Sequence, residues 1–201
     1  MKAGNLNWKK ILHHKRAGAA ILIALSSLSL SCATRSGLKT LSDQAVLLDL
    51  PVVRQTAPNL CGEVALEMLT RYYNALLTDQ QEARLTKEAD QESGIPGSTL
   101  KAVLEEQHYF VAVFSGTLDH KVSGLYHHLD LRRPLIVMIE GDEPDKNHYV
   151  LAVGYDEGTN VIVLLDPVRG EIAMPLVNFK KAWGKVNNFT LLAVPRNLKN
   201  D

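Results

Sequence analysis

The 201-residue chain sets 22 Lys and Arg against 22 Asp and Glu, and 46% of its residues are hydrophobic. That length suits one domain of ordinary size with a core of its own, without help from disulfides. Beyond a basic start there is no basic cluster of the nucleic-acid-binding kind, so nucleic acid is not expected as a partner. No repeat or low-complexity tract is present.

The first sixteen residues carry Lys2, Lys9, Lys10, Lys15 and Arg16, and the first acid is Asp43. Residues 17–31 are apolar or small, a run of fifteen; a bilayer-spanning helix needs ~20. A basic flank, a short apolar run and small residues at its end describe a secretory signal. The run closes on Leu28-Ser29-Leu30-Ser31-Cys32, which resembles the lipobox of bacterial lipoproteins, although Ser29 stands where leucine is commonest. The resemblance implies a signal peptide over 1–31, lipid on Cys32 and a tether over 32–45. It places the protein in the cell envelope, held to the membrane by its N-terminal lipid. Ala33, in place of aspartate, implies the outer membrane facing the periplasm in a Gram-negative cell. The remainder has 17 basic and 22 acidic residues, a formal charge of −5. With Cys32 lipidated, the second and last cysteine, Cys61, has no partner for a disulfide and stands out as a reactive thiol.

The domain is expected over 46–197. Residues 46–53 look like a short strand. From Gly62 to Leu76 the pattern is helical, with Val64, Met68, Leu69, Tyr72 and Leu76 at three- and four-residue steps. Pro58 and Asn59 precede it, so Cys61 falls at the helix N-terminus. Residues 93–98 form a loop in which Ser98 or Thr99 caps a short helix over 99–107, and 109–114 reads as a strand. Another short helix is expected over 121–131. Four runs rich in β-branched and aliphatic residues follow, 134–140, 148–156, 161–167 and 190–195. Asp156-Glu157-Gly158-Thr159 makes a tight turn between the second and third. Helices followed by an antiparallel sheet define the class as α+β.

A cysteine at a helix N-terminus faces unpaired N–H groups and the positive end of the helix dipole, which favour the nucleophilic thiolate. Gly62 would leave that thiol open on one side. Gln55, six residues earlier, could fold back and join the Cys61 N–H in a two-donor oxyanion hole. Of the seven histidines, His108, His120, His127 and His128 read as surface residues. His148 begins a strand and has a third group near it. A turn centred between Glu157 and Gly158 sets 148 opposite 167, so Asp166 comes within one residue of facing His148. Neighbouring strands lie ~4.8 Å apart, within reach for a carboxylate that orients an imidazole. One cysteine and one well-placed histidine make no metal-ligand set, and no cofactor is expected.

With these residues in view, the chain resembles the C39-like branch of the papain-like cysteine peptidases. Leu50–Leu69 is similar to that family's Gln-x5-Cys-Gly block, Asn147–Asp156 to its His block and Val161–Glu171 to its Asp-Pro block. Phe179–Trp183 is similar to its C-terminal aromatic segment. Leu60 departs from the acid that often precedes the cysteine. The resemblance implies a papain-like peptidase fold, Cys61 as nucleophile, His148 as base, Asp166 as its orienter and Gln55 as oxyanion donor. The expected partner is a peptide or protein substrate, with the chain a monomer. Amidase or acyl-transfer chemistry on the same triad, and a domain that only binds peptides, stand as alternatives.

Overall fold

The computed structural model describes residues 41–92, 94–142 and 146–196. The signal peptide expected over 1–31, Cys32 and most of the tether lie outside the described residues, as does Asn197 at the expected domain end. In chain order the elements are β1 (Val46–Leu47), α1 (Cys61–Tyr72), α2 (Asp79–Glu92), α3 (Gly97–Glu106), β2 (Tyr109–Ser115) and α4 (Leu125–Asp130). They continue with β3 (Leu135–Glu140), β4 (Asn147–Asp156), β5 (Val161–Asp166), β6 (Gly170–Pro175), α5 (Leu176–Gly184) and β7 (Phe189–Pro195).

The strands make one seven-stranded sheet, ordered β2-β7-β3-β4-β5-β6 with β1 against β4, and every pairing is antiparallel. β3 covers the first half of β4 from one side, and β1 covers the second half, with Val46 opposite Tyr155. Adjacent residues of a strand point to opposite faces, and β7 shows what each face carries. Phe189 meets Tyr149 and the start of α3, whereas Thr190 lies against Gly116, Trp183 of α5 and Leu125 of α4. Helices α1 and α3 therefore cover one face and α4 and α5 the other. Burying both faces explains why β4 and β5 read as continuous apolar runs. Phe179 and Trp183 stack with ring centroids 5.1 Å apart and are buried in this core, so the aromatic segment is a packing element.

Several expectations need correction. The strand expected over 46–53 pairs only at Val46 and Leu47. Helix α1 ends at Tyr72 because Asn74 adopts a left-handed φ of 58° and the Ala75 N–H returns to the Thr70 carbonyl. Leu76 is 71% exposed beyond that turn. Neither Ser98 nor Thr99 caps α3; the cap position belongs to Pro96 and has no side-chain bond. The helix expected over 121–131 is confined to Leu125–Asp130. α2, β6 and α5 were not expected as elements. His128 is buried, 5% exposed, with burial holding its ring below its ordinary pKa; it is no surface histidine.

The β4–β5 register also differs from the symmetric turn. Asp156 opposes Val161 and Gly154 opposes Val163, but Ala152 opposes Leu164, so Val153 is an extra residue in β4. Continued past Leu151 opposite Leu165, that register sets Asp166 against Val150, two residues from His148. Positions 148 and 150 share a face, and side chains reach such diagonal neighbours.

Candidate active site

Cys61 is the first residue of α1. Asn59 just before it takes a left-handed φ of 64°, which asparagine tolerates better than most residues, and this turn aims the chain into the helix. The cysteine is 8% exposed. Gly62 follows it in the helix. A Cβ there would lie 3.2 Å from the Tyr149 ring and 3.3 Å from Ile95, so the glycine lets α1 seat tightly on β4 and on the segment before α3.

His148 lies at the start of β4, beside Cys61 and opposite Ile139 of β3. Its Nε2 is 3.0 Å from Asp166 Oδ1, at the end of β5. That contact fixes the proton on Nε2 and leaves Nδ1 for the thiol. The Asp166 carboxylate is fully buried and richly bonded: Oδ1 also accepts the Val168 N–H at 2.7 Å and the Arg169 N–H at 3.1 Å. Oδ2 accepts the Arg169 Nε–H at 2.6 Å.

The charges follow from these contacts. Burial pushes the Cys61 thiol up, but the His148 hydrogen bond, the Tyr149 N–H, the imidazolium charge and the Gly62 N–H outweigh it and hold the thiol below its ordinary value. Burial alone would lower His148, yet the Asp166 bond, the Cys61 bond and both negative charges raise it to about 9. Burial would raise Asp166; the hydrogen bond and charge of His148 lead the opposing effects and hold it far below the carboxylate range. Both shifts favour the thiolate–imidazolium pair over the neutral thiol and imidazole.

These groups open into a cleft of about 650 Å³ walled by Ile95, Pro96 and Gly97 on one side and Met138, Glu140 and Gly141 on the other. Gln55 lines the same cleft. Its backbone N–H bonds the Pro167 carbonyl at 2.8 Å, tying its segment to the Asp166 turn. Its side-chain amide donates one N–H to the Ala57 carbonyl at 3.0 Å, and its Oε1 is buried without a hydrogen-bond partner. The structure therefore brings Cys61, His148, Asp166 and Gln55 to one place. It adds Arg169, Arg54 and the Tyr149 N–H, which the residue pattern did not single out. Arg54 Nη1 bonds the Val168 carbonyl. Among the described residues, no group of three or more His, Cys, Asp or Glu is placed to hold a metal ion.

A cysteine at a helix N-terminus, joined across an antiparallel sheet by a histidine backed by a carboxylate, is the arrangement of the papain-like cysteine peptidases. The chain belongs to the Peptidase_C39 like family, whose model matches residues 47–190. No curated protein matches it. Among solved structures it is similar to the peptidase domain of Streptococcus ComA, described as a bi-functional ABC transporter involved in a quorum sensing pathway. The TM-score is 0.58 at 17% identity, over 72% of this chain and 98% of that one. It is also similar to a double glycine motif protease from an AMS/PCAT transporter in complex with its leader peptide, at TM-score 0.57 and 17% identity over 74% and 94% of the two chains. A C39-like peptidase from Bacillus anthracis gives 0.59 at 16% identity over 77% and 99%. At such identities these likenesses establish the fold.

Proposed function

We propose that the protein is an envelope-anchored cysteine peptidase that cleaves a peptide bond with Cys61, His148, Asp166 and Gln55. The observation that carries this reading is the 3.0 Å contact from His148 to the buried Asp166, with the other side of the imidazole turned to a thiol at a helix N-terminus. The Cys61 thiolate attacks the carbonyl carbon, and the Cys61 N–H and a Gln55 side-chain N–H take up the charge that develops on its oxygen. The His148 imidazolium gives its proton to the departing amine. Neutral His148 then takes a proton from the water that hydrolyses the thioester and keeps it while Cys61 leaves as the thiolate, which restores the starting ion pair. Asp166 holds the imidazole in the tautomer that this sequence needs. A peptide as substrate is supported by the family and by the leader peptide bound to one structural relative.

Anchoring through Cys32 is supported by the basic flank, the short apolar run and the Leu28–Cys32 segment. Active-site labelling tests the chemistry: the purified domain should react with an electrophilic peptide probe at Cys61, and both Cys61→Ala and His148→Ala should lose peptide cleavage. Labelling that persists unchanged in His148→Ala would mark Cys61 as an ordinary thiol. For the anchor, Cys32→Ala should release the protein from membranes or leave it unprocessed, and unchanged mass and fractionation would end that part of the reading.

A further inference from the structure

Arg169 follows Asp166 by three residues, in the turn between β5 and β6. Its side chain is 40% exposed, yet its Nε–H reaches inward to a carboxylate with no exposure at all. The bonds around Asp166 are divided unevenly. Oδ1 takes His148 and two backbone N–H groups, whereas Oδ2 takes the Arg169 side chain. Without the guanidinium, a buried carboxylate oxygen would lose its charged donor, and the carboxylate would act on His148 with its full charge.

The surrounding turn is built to hold this arrangement. Arg54 approaches from the segment before α1 and binds the carbonyl of Val168, the residue between Pro167 and Arg169. Gly170 admits it: its φ is +80°, and a Cβ there would lie 2.7 Å from Arg54 Nη2. Among the described residues, the charged groups around Asp166 are His148 from β4, Arg169 from its own turn, Arg54 beyond the turn and Cys61 across the imidazole, while Glu140, Asp142 and Lys146 line the same cleft as His148. Glu171 of β6 opposes Leu165 and projects to the other face.

We propose that Arg169 is a positioning residue for the peptidase reaction: it fixes the Asp166 carboxylate with Oδ1 toward His148 and offsets part of its charge, so that the imidazolium stays acidic enough to protonate the leaving amine. This rests on the catalytic reading of Cys61 and His148 given above. Asp166 alone would orient the histidine but would also make the imidazolium a reluctant acid, and general-acid efficiency declines when the proton is held too tightly. The guanidinium sets the balance between orientation and acidity.

Two measurements test it. The first is an NMR titration of His148 in the folded Cys61→Ala protein, with and without Arg169→Gln. Loss of the nearby cation should raise the His148 midpoint by about half to one pH unit, less than a direct ion pair gives because the guanidinium is one group removed. Arg169→Lys should restore most of the original midpoint. An unmoved or lowered midpoint in a folded Arg169→Gln protein would overturn the proposal. The second is peptide cleavage by Arg169→Gln with Cys61 intact. There kcat should fall about three- to tenfold with KM unchanged, and the alkaline limb should move up with the midpoint. Unchanged kcat, or a change confined to KM, would equally overturn it. If instead wild-type protein fails to cleave any peptide while His148 still responds to Arg169→Gln, the failure belongs to the peptidase reading and the electrostatic role of Arg169 stands.

Discussion

Replacing Asp166 with asparagine is the sharpest test of the site, because it preserves shape and removes charge. The carboxylate accepts four N–H groups: His148 Nε2, the Val168 and Arg169 backbone amides, and Arg169 Nε. An asparagine can satisfy only one side of this set. With its oxygen toward His148, its NH2 confronts Arg169 Nε, donor against donor. Arg169 is 40% exposed and can turn to water, so this orientation costs little beyond one bond. With its NH2 toward His148, the imidazole must place its proton on Nδ1, where it faces Cys61 and can no longer accept the thiol proton. Charge matters in both orientations. The rise of His148 from 6.5 to about 9 corresponds to on the order of 3 kcal/mol of preference for the imidazolium, divided between Asp166 and Cys61. Losing the Asp166 share depletes the ion pair, and the wrong tautomer takes the loss in kcat toward ~10⁴. We therefore expect Asp166→Asn to fold, to lose ~10²–10⁴ in kcat with little change in KM, and to alkylate far more slowly at pH 6. Steady-state cleavage of a peptide selected from a library, iodoacetamide kinetics from pH 5 to 9, and circular dichroism supply the readouts. A folded variant with full turnover would refute the assignment of Asp166.

Other outcomes follow from the same contacts. Under the proposed oxyanion role, Gln55→Ala should reduce kcat by ~10²–10³ with KM nearly unchanged; a rise in KM alone would show a substrate-binding role instead. Asp166 is depressed in the folded state, so its contribution to stability is full above 3.8 and is lost as pH falls below it. The Tm gap between wild type and Asp166→Asn should therefore narrow steadily in acid. His148 is raised, so its contribution is full below 6.5 and disappears as pH rises through about 9; wild-type Tm should lose part of its advantage over His148→Ala across that window. Gly170→Ala should cost about 1–2 kcal/mol for its positive φ and lower turnover by displacing Arg54, whereas unchanged thermal unfolding would contradict the geometry of the turn. Asp156→Ala should lower Tm clearly, because that carboxylate accepts the Ser42 N–H at 2.6 Å and the Thr159 hydroxyl at 2.8 Å and so closes the β4–β5 turn.

Much of the sheet was legible because β3, β4, β5 and β7 are apolar runs between polar breaks, and their burial on both faces is what makes such runs. The start of α1 was equally plain from Pro58 and Asn59 ahead of a periodic stretch. α2 escaped because it buries only a narrow stripe, Leu85 and Ala89, on an otherwise polar helix. A local signal was available: Thr78 and Gln81 bond each other reciprocally, the Gln81 N–H to the Thr78 hydroxyl and the Thr78 N–H to the Gln81 side chain. β6 lies at a sheet edge and is only partly buried, so no strong alternation announced it. In the site, Cys61 and Gln55 were readable from a helix start and a fixed spacing. Arg169 was not, because an arginine three residues after an aspartate is commonplace until a buried Oδ2 is seen to take its bond from that side chain.

The pairing of His148 with Asp166 was expected from a turn, but the turn does not produce it. Running β4 and β5 back from Asp156 opposite Val161 without interruption would set Asp166 against Leu151, on the face turned away from His148. The symmetric turn read from the sequence sets it against Tyr149, again on the wrong face. One extra residue, Val153, changes the parity and carries Asp166 opposite Val150, on the His148 side. A one-residue slip exchanges the faces of a strand, so the bulge decides whether the histidine has a carboxylate at all. The sequence conceals it, because β4 is buried from Val150 to Asp156 on both faces and shows no alternation to break. β1 supports the bulge from outside: the Leu48 N–H bonds the Val153 carbonyl at 2.8 Å, and a Cβ on Gly154 would lie 2.5 Å from the Val46 carbonyl. The short N-terminal strand and the glycine that admits it thereby act on the site from the far end of the strand, by fixing the register in which β4 presents its histidine.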